Sequence, residues 1–264
     1  MELTNVYIGF ALATFAGLST GIGSLLGLYS KFENKRLLAL ALGFSAGVMI
    51  YVSFMELLLL SFDSLGGLYG DTYGKLIGVT SFTGGLLTML FIDQLFDHHS
   101  IADFISRSSD KEESLLVRTG VFSALALAIH NFPEGFATFT AAVYDPTVGA
   151  TLATAIAIHN IPEGLAVSVP IYYATKNKTK AFMISFASGL AEPLGALIGF
   201  LIFRTVYNEA LFGVSFALCA GIMVYVAINE LLPVAKEYGK PSDPIIGVTA
   251  GIIVMAISLI LMYI

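Results

Sequence analysis

Charged residues are scarce in this chain of 264 residues. Asp, Glu, Lys and Arg make up 12% of it, whereas hydrophobic residues make up 56%. Soluble domains have roughly 25% charged residues. The mean hydropathy of +0.84 is correspondingly high. This composition excludes a soluble domain of any size and predicts an integral membrane protein.

Cysteine is also nearly absent, since Cys219 is the only one. A single thiol cannot form an intramolecular disulfide, and it cannot supply the several thiolates of a tight structural zinc site. Cys219 stands in an apolar run, which favours a small packing residue. Any metal chemistry therefore depends on imidazole, carboxylate and amide groups.

Apolar runs of about 20 residues, the length that a helix needs to cross a bilayer, recur along the chain. They predict an all-α bundle of eight transmembrane helices forming a single domain over residues 1–264. The predicted spans are 6–28, 37–60, 74–95, 115–143, 147–172, 180–203, 210–232 and 244–263. The longest connection, 96–114, is polar and is predicted to be a loop. Within it, His98 and His99 are typical of solvated side chains.

Basic residues mark one side of the predicted bundle. Only Lys75 and Arg204 lie beside even-numbered connections. The others lie in or beside odd-numbered connections: Lys31, Lys35, Arg36, Arg107, Lys111, Arg118, Lys176, Lys178, Lys180, Lys236 and Lys240. Because cytoplasmic loops carry an excess of Lys and Arg, we expect these connections, including 96–114, in the cytosol and both termini outside. The expected location is the inner (plasma) membrane of the cell.

A polar motif occurs twice within the apolar runs. Ile-His-Asn-Phe-Pro-Glu-Gly at 129–135 returns at 158–164 as Ile-His-Asn-Ile-Pro-Glu-Gly. Both copies fall near the middle of their spans, and so does Glu192. An ionisable side chain at that depth costs roughly 3 kcal/mol on insertion scales, so it marks a functional site by default. The connection 144–147 is short, so the two motifs run antiparallel in one hairpin.

Helix geometry arranges the motif for two metal ions. At about 100° per residue, Glu134 lies angularly between His130 and Asn131. The second copy has the same spacing, so each Glu can bridge a His side and an Asn side. One predicted position contains His130, Glu134, His159 and Glu163, and the other contains Asn131, Glu134, Asn160, Glu163 and Glu192. These nitrogen and oxygen ligands suit Zn²⁺, Fe²⁺, Mn²⁺ or Co²⁺.

Two other residue types accompany the ligands. Pro133 and Pro162 each remove a backbone donor, which predicts kinks beside the site. Gly135 and Gly164 predict a close approach of the two motif helices to each other.

A weaker similarity links Phe-Met-Glu-Leu-Leu around Glu56 with Ile-Asn-Glu-Leu-Leu around Glu230. If spans one to three and six to eight are inverted repeats around the hairpin of spans four and five, these carboxylates lie at opposite mouths of a pathway. Glu56 would lie near the outer end of span two, and Glu230 near the inner end of span seven. Snorkelling acids near helix ends would give the same pattern. Met49 is first of all a packing residue.

These motifs resemble the ZIP (Zrt-, Irt-like protein) family of divalent-metal transporters, in particular its bacterial zinc transporters. The resemblance also covers Ser-Gly-Leu-Ala-Glu-Pro-Leu-Gly at 188–195, 36–49 and Ala-Gly-Ile-Met-Val at 220–224. It implies eight helices with both termini outside and metal uptake into the cytosol. It also implies a two-metal site whose second position is linked to Fe²⁺, and it adds Met49 as a residue near that site.

The leading hypothesis is secondary transport of Zn²⁺, with tolerance for Fe²⁺, Mn²⁺, Co²⁺ and Cd²⁺. We expect no prosthetic group and no nucleic-acid partner, only divalent ions and the lipid bilayer, with a homodimer as a candidate assembly. The alternative is an intramembrane di-metal enzyme, either a metallohydrolase or a carboxylate-bridged oxidase. The His-Glu-x-x-His and Glu-x-x-His motifs of such enzymes do not occur in the chain.

Overall fold

A computed structural model describes residues 2–29, 35–95, 111–206 and 208–263, although the side chains of some helical residues, His130 and 111–126 among them, fall outside this description. These ranges are helical and contain no strand, which confirms the all-α prediction. The helices are α1 Leu3–Tyr29, α2 Lys35–Val52, α3 Leu58–Tyr69, α4 Asp71–Leu95, α5 Lys111–Tyr144, α6 Pro146–Thr175, α7 Lys178–Gly189, α8 Ala191–Thr205, α9 Glu209–Val226, α10 Leu232–Tyr238 and α11 Asp243–Tyr263.

Seven helical stretches in the described ranges are long and apolar enough to cross a membrane. They are Leu3–Tyr29, Arg36–Tyr69, Asp71–Gln94, Pro146–Val169, Lys178–Thr205, Glu209–Tyr238 and Asp243–Leu261. The chain is thus a multi-pass membrane protein. The remaining predicted span, 115–143, falls in α5, whose side chains before Leu127 lie outside the described set.

The predicted loop 96–114 is too long at its C-terminal end. Residues 96–110 lie outside the described residues, but α5 begins at Lys111 and includes residues 111–114. Lys and Glu are good helix formers despite their polarity. Hydropathy detects where a helix enters the apolar region, and not where the helix itself begins.

The turn between α5 and α6 has a clear local cause. Asp145 is the N-cap of α6, and its carboxylate accepts a hydrogen bond of 2.7 Å from the Thr147 backbone N–H. Pro146 follows at the first helical position, where a missing N–H costs nothing. The two motif helices are therefore joined by one residue, Asp145, and form a hairpin.

Predicted span six is two helices instead of one. A single turn residue, Leu190, separates α7 from α8, and its N–H bonds to the Ala187 carbonyl at 3.2 Å. Pro193 explains the break, because its ring would clash with the carbonyl four residues earlier, that of Gly189. Glu192 consequently lies in the first turn of α8, where the helix dipole favours a carboxylate.

Two π-helical segments interrupt otherwise continuous helices. Ser53–Leu57 joins α2 to α3, and Ala227–Leu231 joins α9 to α10. Each segment has five residues, follows an α segment of 18 residues and has Glu, Glu56 or Glu230, at its fourth position. Such π segments often occur at functional sites.

The two π segments belong to a longer sequence similarity between residues 45–58 and 219–232. This pair of similar segments is called the second repeat, because the doubled His-Asn-x-Pro-Glu-Gly motif is the first. Residues 45–58 read Ser-Ala-Gly-Val-Met-Ile-Tyr-Val-Ser-Phe-Met-Glu-Leu-Leu, and residues 219–232 read Cys-Ala-Gly-Ile-Met-Val-Tyr-Val-Ala-Ile-Asn-Glu-Leu-Leu. The packing is reciprocal, because the first π segment contacts α9 and the second contacts α2.

The helices that contain Glu56 and Glu230 extend beyond the predicted ends of spans two and seven, and the placement of these two residues at the mouths of a pathway stays a prediction. The helix that contains Glu56 continues to Tyr69, 13 residues further on, and the helix that contains Glu230 continues to Tyr238. At 1.5 Å per residue, Glu56 is about 20 Å from its helix end. The polar residues of α3 end the apolar run before the helix itself ends.

The helices form two groups. One contains α1, α5, α6, α7 and α8, and the other contains α2, α3, α4, α9, α10 and α11. The groups meet chiefly where α2 packs against α6 and where α9 packs against α5. The two polar motifs and Glu192 belong to the first group, whereas both π segments belong to the second.

Glycines bring the helices of the first group into backbone contact. A Cβ at Gly164 would overlap the Thr20 carbonyl oxygen of α1, and one at Gly135 would overlap the Glu192 carbonyl oxygen of α8. Both glycines therefore allow close approach, but not of α5 to α6 as predicted. The sequence shows that a glycine permits contact, and it does not show which helix makes that contact.

Gly23 makes the same kind of contact, since a Cβ there would overlap the Ile161 carbonyl oxygen within the second motif. Gly23→Ala should lower the free energy of unfolding by about 1–3 kcal/mol, the usual cost of overpacking. The measurement is the melting temperature in detergent. Gly84→Ala is the control, because a Cβ there meets nothing within 4 Å. Equal melting temperatures of the two variants would contradict this account of the α1–α6 contact.

Candidate metal site

The motif side chains that the structure describes lie in the interior. Asn131 and Glu134 on α5, and His159, Asn160 and Glu163 on α6, are all fully buried. Glu192 of α8 is fully buried as well. The first His of the pair, His130, is part of α5, but its side chain is outside the described set. Six of the seven predicted ligands are therefore buried inside the helix bundle.

One contact links the two motifs directly. The His159 Nε2 atom lies 3.2 Å from Glu134 Oε1. This places an imidazole nitrogen of the second motif beside a carboxylate of the first, as the nitrogen-rich position requires. A metal ion between such groups would accept electron pairs from both of them.

The asparagines direct their amide nitrogens into the protein. Asn160 Nδ2 donates a very short hydrogen bond to Glu192 Oε1 and a second one, of 3.0 Å, to the Ala16 carbonyl. Asn131 Nδ2 donates to the Ser188 carbonyl at 3.3 Å. These bonds fix the orientation of both side-chain amides. The amide oxygens of Asn131 and Asn160 therefore point away from the groups that accept these hydrogen bonds. The contact with Asn160 also brings Glu192 to the second motif.

Four oxygens of this cluster are left without a hydrogen-bond partner among the described residues. They are Asn131 Oδ1, Glu134 Oε2, Asn160 Oδ1 and Glu192 Oε2, all buried. A buried polar atom without a partner costs about 1–3 kcal/mol, and more when it is charged. Oxygen acceptors in this state are suited to a cation. The unpaired oxygens come from three helices, α5, α6 and α8.

The described side chains do not form a closed cage. No three His, Cys, Asp or Glu side chains in that set lie close enough together to hold one ion. The contacts instead form two pairs, Glu134 with His159 and Asn160 with Glu192. The predicted nitrogen-rich position includes His130 and stays a prediction. The oxygen-rich position depends in part on amides, which are not among those four residue types.

Glu163 has a partner that the motif pattern does not reveal. Ser45 Oγ of α2 donates a 2.8 Å hydrogen bond to Glu163 Oε1 and lies 3.5 Å from the His159 carbonyl. On the other side of the hairpin, Cys219 Sγ of α9 lies 3.5 Å from the Pro133 carbonyl. Ser45 and Cys219 are equivalent positions of the second repeat, so the full match over 45–58 is the sequence signal that could have identified them.

The three weaker candidates lie in the other helix group. Met49 is fully buried in the main apolar core, as expected of a packing residue. Glu56 is buried in the first π segment, and Glu230 is partly exposed in the second. Near Glu230, Asp93 accepts hydrogen bonds from Tyr225 Oη at 2.9 Å and from Asn229 Nδ2 at 3.2 Å. Metal binding by these three side chains stays a prediction.

Known proteins are similar to this chain over nearly its full length. The family model described as ZIP zinc transporter matches residues 98–259. A protein of Chlorobium chlorochromatii named zinc transporter ZupT is 51% identical, over 97% of this chain and 98% of its own. A protein of Oceanobacillus iheyensis with the same name is 46% identical, over 98% and 100% respectively. The chain therefore belongs to the ZIP zinc transporter family.

Proposed function

We propose that this protein is a secondary transporter that carries Zn²⁺ across the membrane into the cytosol. The observation that carries the proposal is the cluster of buried, unpaired oxygens beside the Glu134–His159 contact, inside a bundle of apolar helices. Such a polar cluster at the centre of a membrane protein has a high cost unless it serves the passage of an ion. The relatives named zinc transporter ZupT supply the choice of zinc.

The enzyme alternative has less support. A di-metal hydrolase or oxidase needs space for an organic substrate beside the metal. Here the helices around the cluster are in close backbone contact at their glycines, which leaves little space for such a substrate. The family to which this chain belongs is a family of zinc transporters. We therefore place metal ions among the substrates of this protein, and not among its resident cofactors.

The proposed topology has eight membrane spans, with both termini outside and the odd-numbered connections in the cytosol. The seven apolar helical stretches supply seven of these spans, and α5, with 34 residues, is the eighth. The position of the basic residues sets the orientation. In this topology α5 and α6 cross in opposite directions, so the two motifs meet at similar depth.

We also propose that spans one to three and six to eight are inverted repeats. The equal 18-residue α segments, the matching π segments and the second repeat support this relation. Reciprocal packing supports it too, since α2 packs against α11 and α9 against α4. Two related halves around a shared hairpin allow the site to face either side of the membrane in turn.

The proposed site has two metal positions that share both motif carboxylates. His130, Glu134, His159 and Glu163 would hold Zn²⁺. The second position would be formed by Asn131, Glu134, Asn160, Glu163 and Glu192. Because its ligands are all oxygen atoms, this position accepts harder ions, including Fe²⁺ and Mn²⁺, more readily than an imidazole site does.

The function is tested by zinc flux into proteoliposomes with a zinc-sensitive dye inside. The native protein should transport Zn²⁺ without any organic substrate. Glu134→Ala should lower the initial rate at least tenfold, since the loss of an outer partner alone typically costs about 10–100-fold in metal affinity. Glu209→Ala is the control, because Glu209 is exposed at the start of α9. Native transport by Glu134→Ala would reject the site.

Glu192→Ala tests the two positions separately. Because Glu192 belongs only to the oxygen-rich position, this variant should retain zinc flux within a few fold of native and lose relative preference for Fe²⁺ or Mn²⁺. Competition between Zn²⁺ and each ion in the same proteoliposomes measures that preference. An unchanged preference, or complete loss of zinc flux, would argue against two distinct positions.

The topology is tested with single cysteines in a Cys219→Ala background. Thr147 and Thr179 are exposed at opposite ends of the α6 region. In intact cells, an impermeant maleimide should label Thr147→Cys, which the topology places outside, and should leave Thr179→Cys unlabelled until the cells are opened. The reverse labelling pattern would invert the proposed orientation.

A further inference from the structure

Ser45 directs its hydroxyl to a carboxylate of another helix. Hydroxyls within helices commonly donate to a carbonyl one turn earlier in their own helix. Ser53 does so, with 2.7 Å between its Oγ and the Met49 carbonyl oxygen. Ser45 Oγ instead reaches from α2 to α6 and donates to Glu163 Oε1 at 2.8 Å.

The contact is fully enclosed. Ser45 and Glu163 are both inaccessible to solvent, so water does not compete for the hydrogen bond. A bond from a hydroxyl to a carboxylate is stronger than one between neutral groups. It also fixes the rotation of the carboxylate, because one of its two oxygens is held at a defined place. The second oxygen is then presented in one direction.

Within the described residues, the second repeat makes this contact on one side of the site and a different contact on the other. The position equivalent to Ser45 is Cys219, whose thiol contacts the Pro133 backbone carbonyl and not a carboxylate oxygen. Glu134 Oε2 has no hydrogen-bond partner among the described side chains and backbone. Glu134 Oε1 instead lies 3.2 Å from His159 Nε2, so the two motif carboxylates have different partners although their motifs match.

We infer that Ser45 is a positioning residue for the zinc ligand Glu163. It holds one carboxylate oxygen so that the other is directed to the metal, and it does so from a helix that carries no motif ligand. This role rests on the proposed function, because it requires Glu163 to bind zinc. It assigns a binding task to α2 and connects the metal site to the contact between the two helix groups.

Zinc affinity of the purified protein tests the role of Ser45. The dissociation constant is measured in detergent by competition with a chromophoric chelator. Ser45→Ala should bind Zn²⁺ about 10–100-fold more weakly, as expected when a metal ligand loses its outer partner. Ser53→Ala is the matched control, since Ser53 is equally buried on the same helical stretch and, among the residues that the structure describes, its hydroxyl bonds to its own helix. It should bind zinc within about threefold of native, a margin well below the 10–100-fold effect.

Melting temperatures of the metal-free variants separate positioning from folding. If Ser45→Ala and Ser53→Ala melt at similar temperatures and only the first loses zinc affinity, the loss is local to the site. Ser45→Thr adds a conservative test, because it keeps the hydroxyl donor. Its affinity should lie closer to that of the native protein than to that of Ser45→Ala. Equal affinity of Ser45→Ala and Ser53→Ala would overturn the inference.

Glu163→Ala distinguishes failure of this inference from failure of the proposed function. If Glu163→Ala binds zinc as native does, the proposed site itself is wrong. If Glu163→Ala loses affinity and Ser45→Ala does not, only the role of Ser45 is wrong. In the double variant, Ser45→Ala should add less than about twofold to the effect of Glu163→Ala, because a residue that acts through another is not additive with it.

Discussion

The cost of placing carboxylates inside an apolar bundle governs the rest of this structure. Glu134, Glu163 and Glu192 are removed from water, and a charge in such surroundings is stable only with partners nearby. The protein supplies some of them: Asn160 donates to Glu192, and Ser45 donates to Glu163. It leaves other oxygens unpaired. A bundle that satisfied every oxygen would be more stable, but it would have no affinity for a cation.

Backbone contact between helices makes this arrangement possible. Side chains as short as those of Asn and Ser can bond across helices only when the helix axes are close. Gly23 and Gly164 bring α1 against α6, and Gly135 brings α5 against α8. The same contacts allow Asn160 to reach the Ala16 carbonyl and allow Glu192 to reach Asn160. Packing and ligand placement are thus set by the same glycines.

Local patterns predict which polar residues are buried in the bundle, but not which side chains surround them. The doubled motif identified buried polar residues because a polar group inside an apolar run is visible in one sequence. The all-helical fold was predictable for a similar reason, since hydropathy depends only on local composition. The partner of Gly164 was not, because any helix can fill the space above a glycine. The break at Leu190 could have been inferred from Pro193, whereas Pro133 and Pro162 lie within helices that continue past them. The same residue type thus has different effects in different tertiary surroundings.

The second repeat shows how two related halves can support unequal tasks. The shared Glu-Leu-Leu sequence is enough to show that Glu56 and Glu230 are equivalent positions. The complete match over 14 residues shows that Ser45 and Cys219 are equivalent positions as well. Both of these last residues face the hairpin, each from a different helix. A hydroxyl is a good donor to a carboxylate, whereas a thiol is a weak one. In the proposed inverted repeat, the substitution of one for the other makes the two sides of the proposed metal site chemically different. An ion that moves from one side to the other would then meet Glu163, which accepts a hydrogen bond from a hydroxyl, on one motif and Glu134, which contacts His159, on the other.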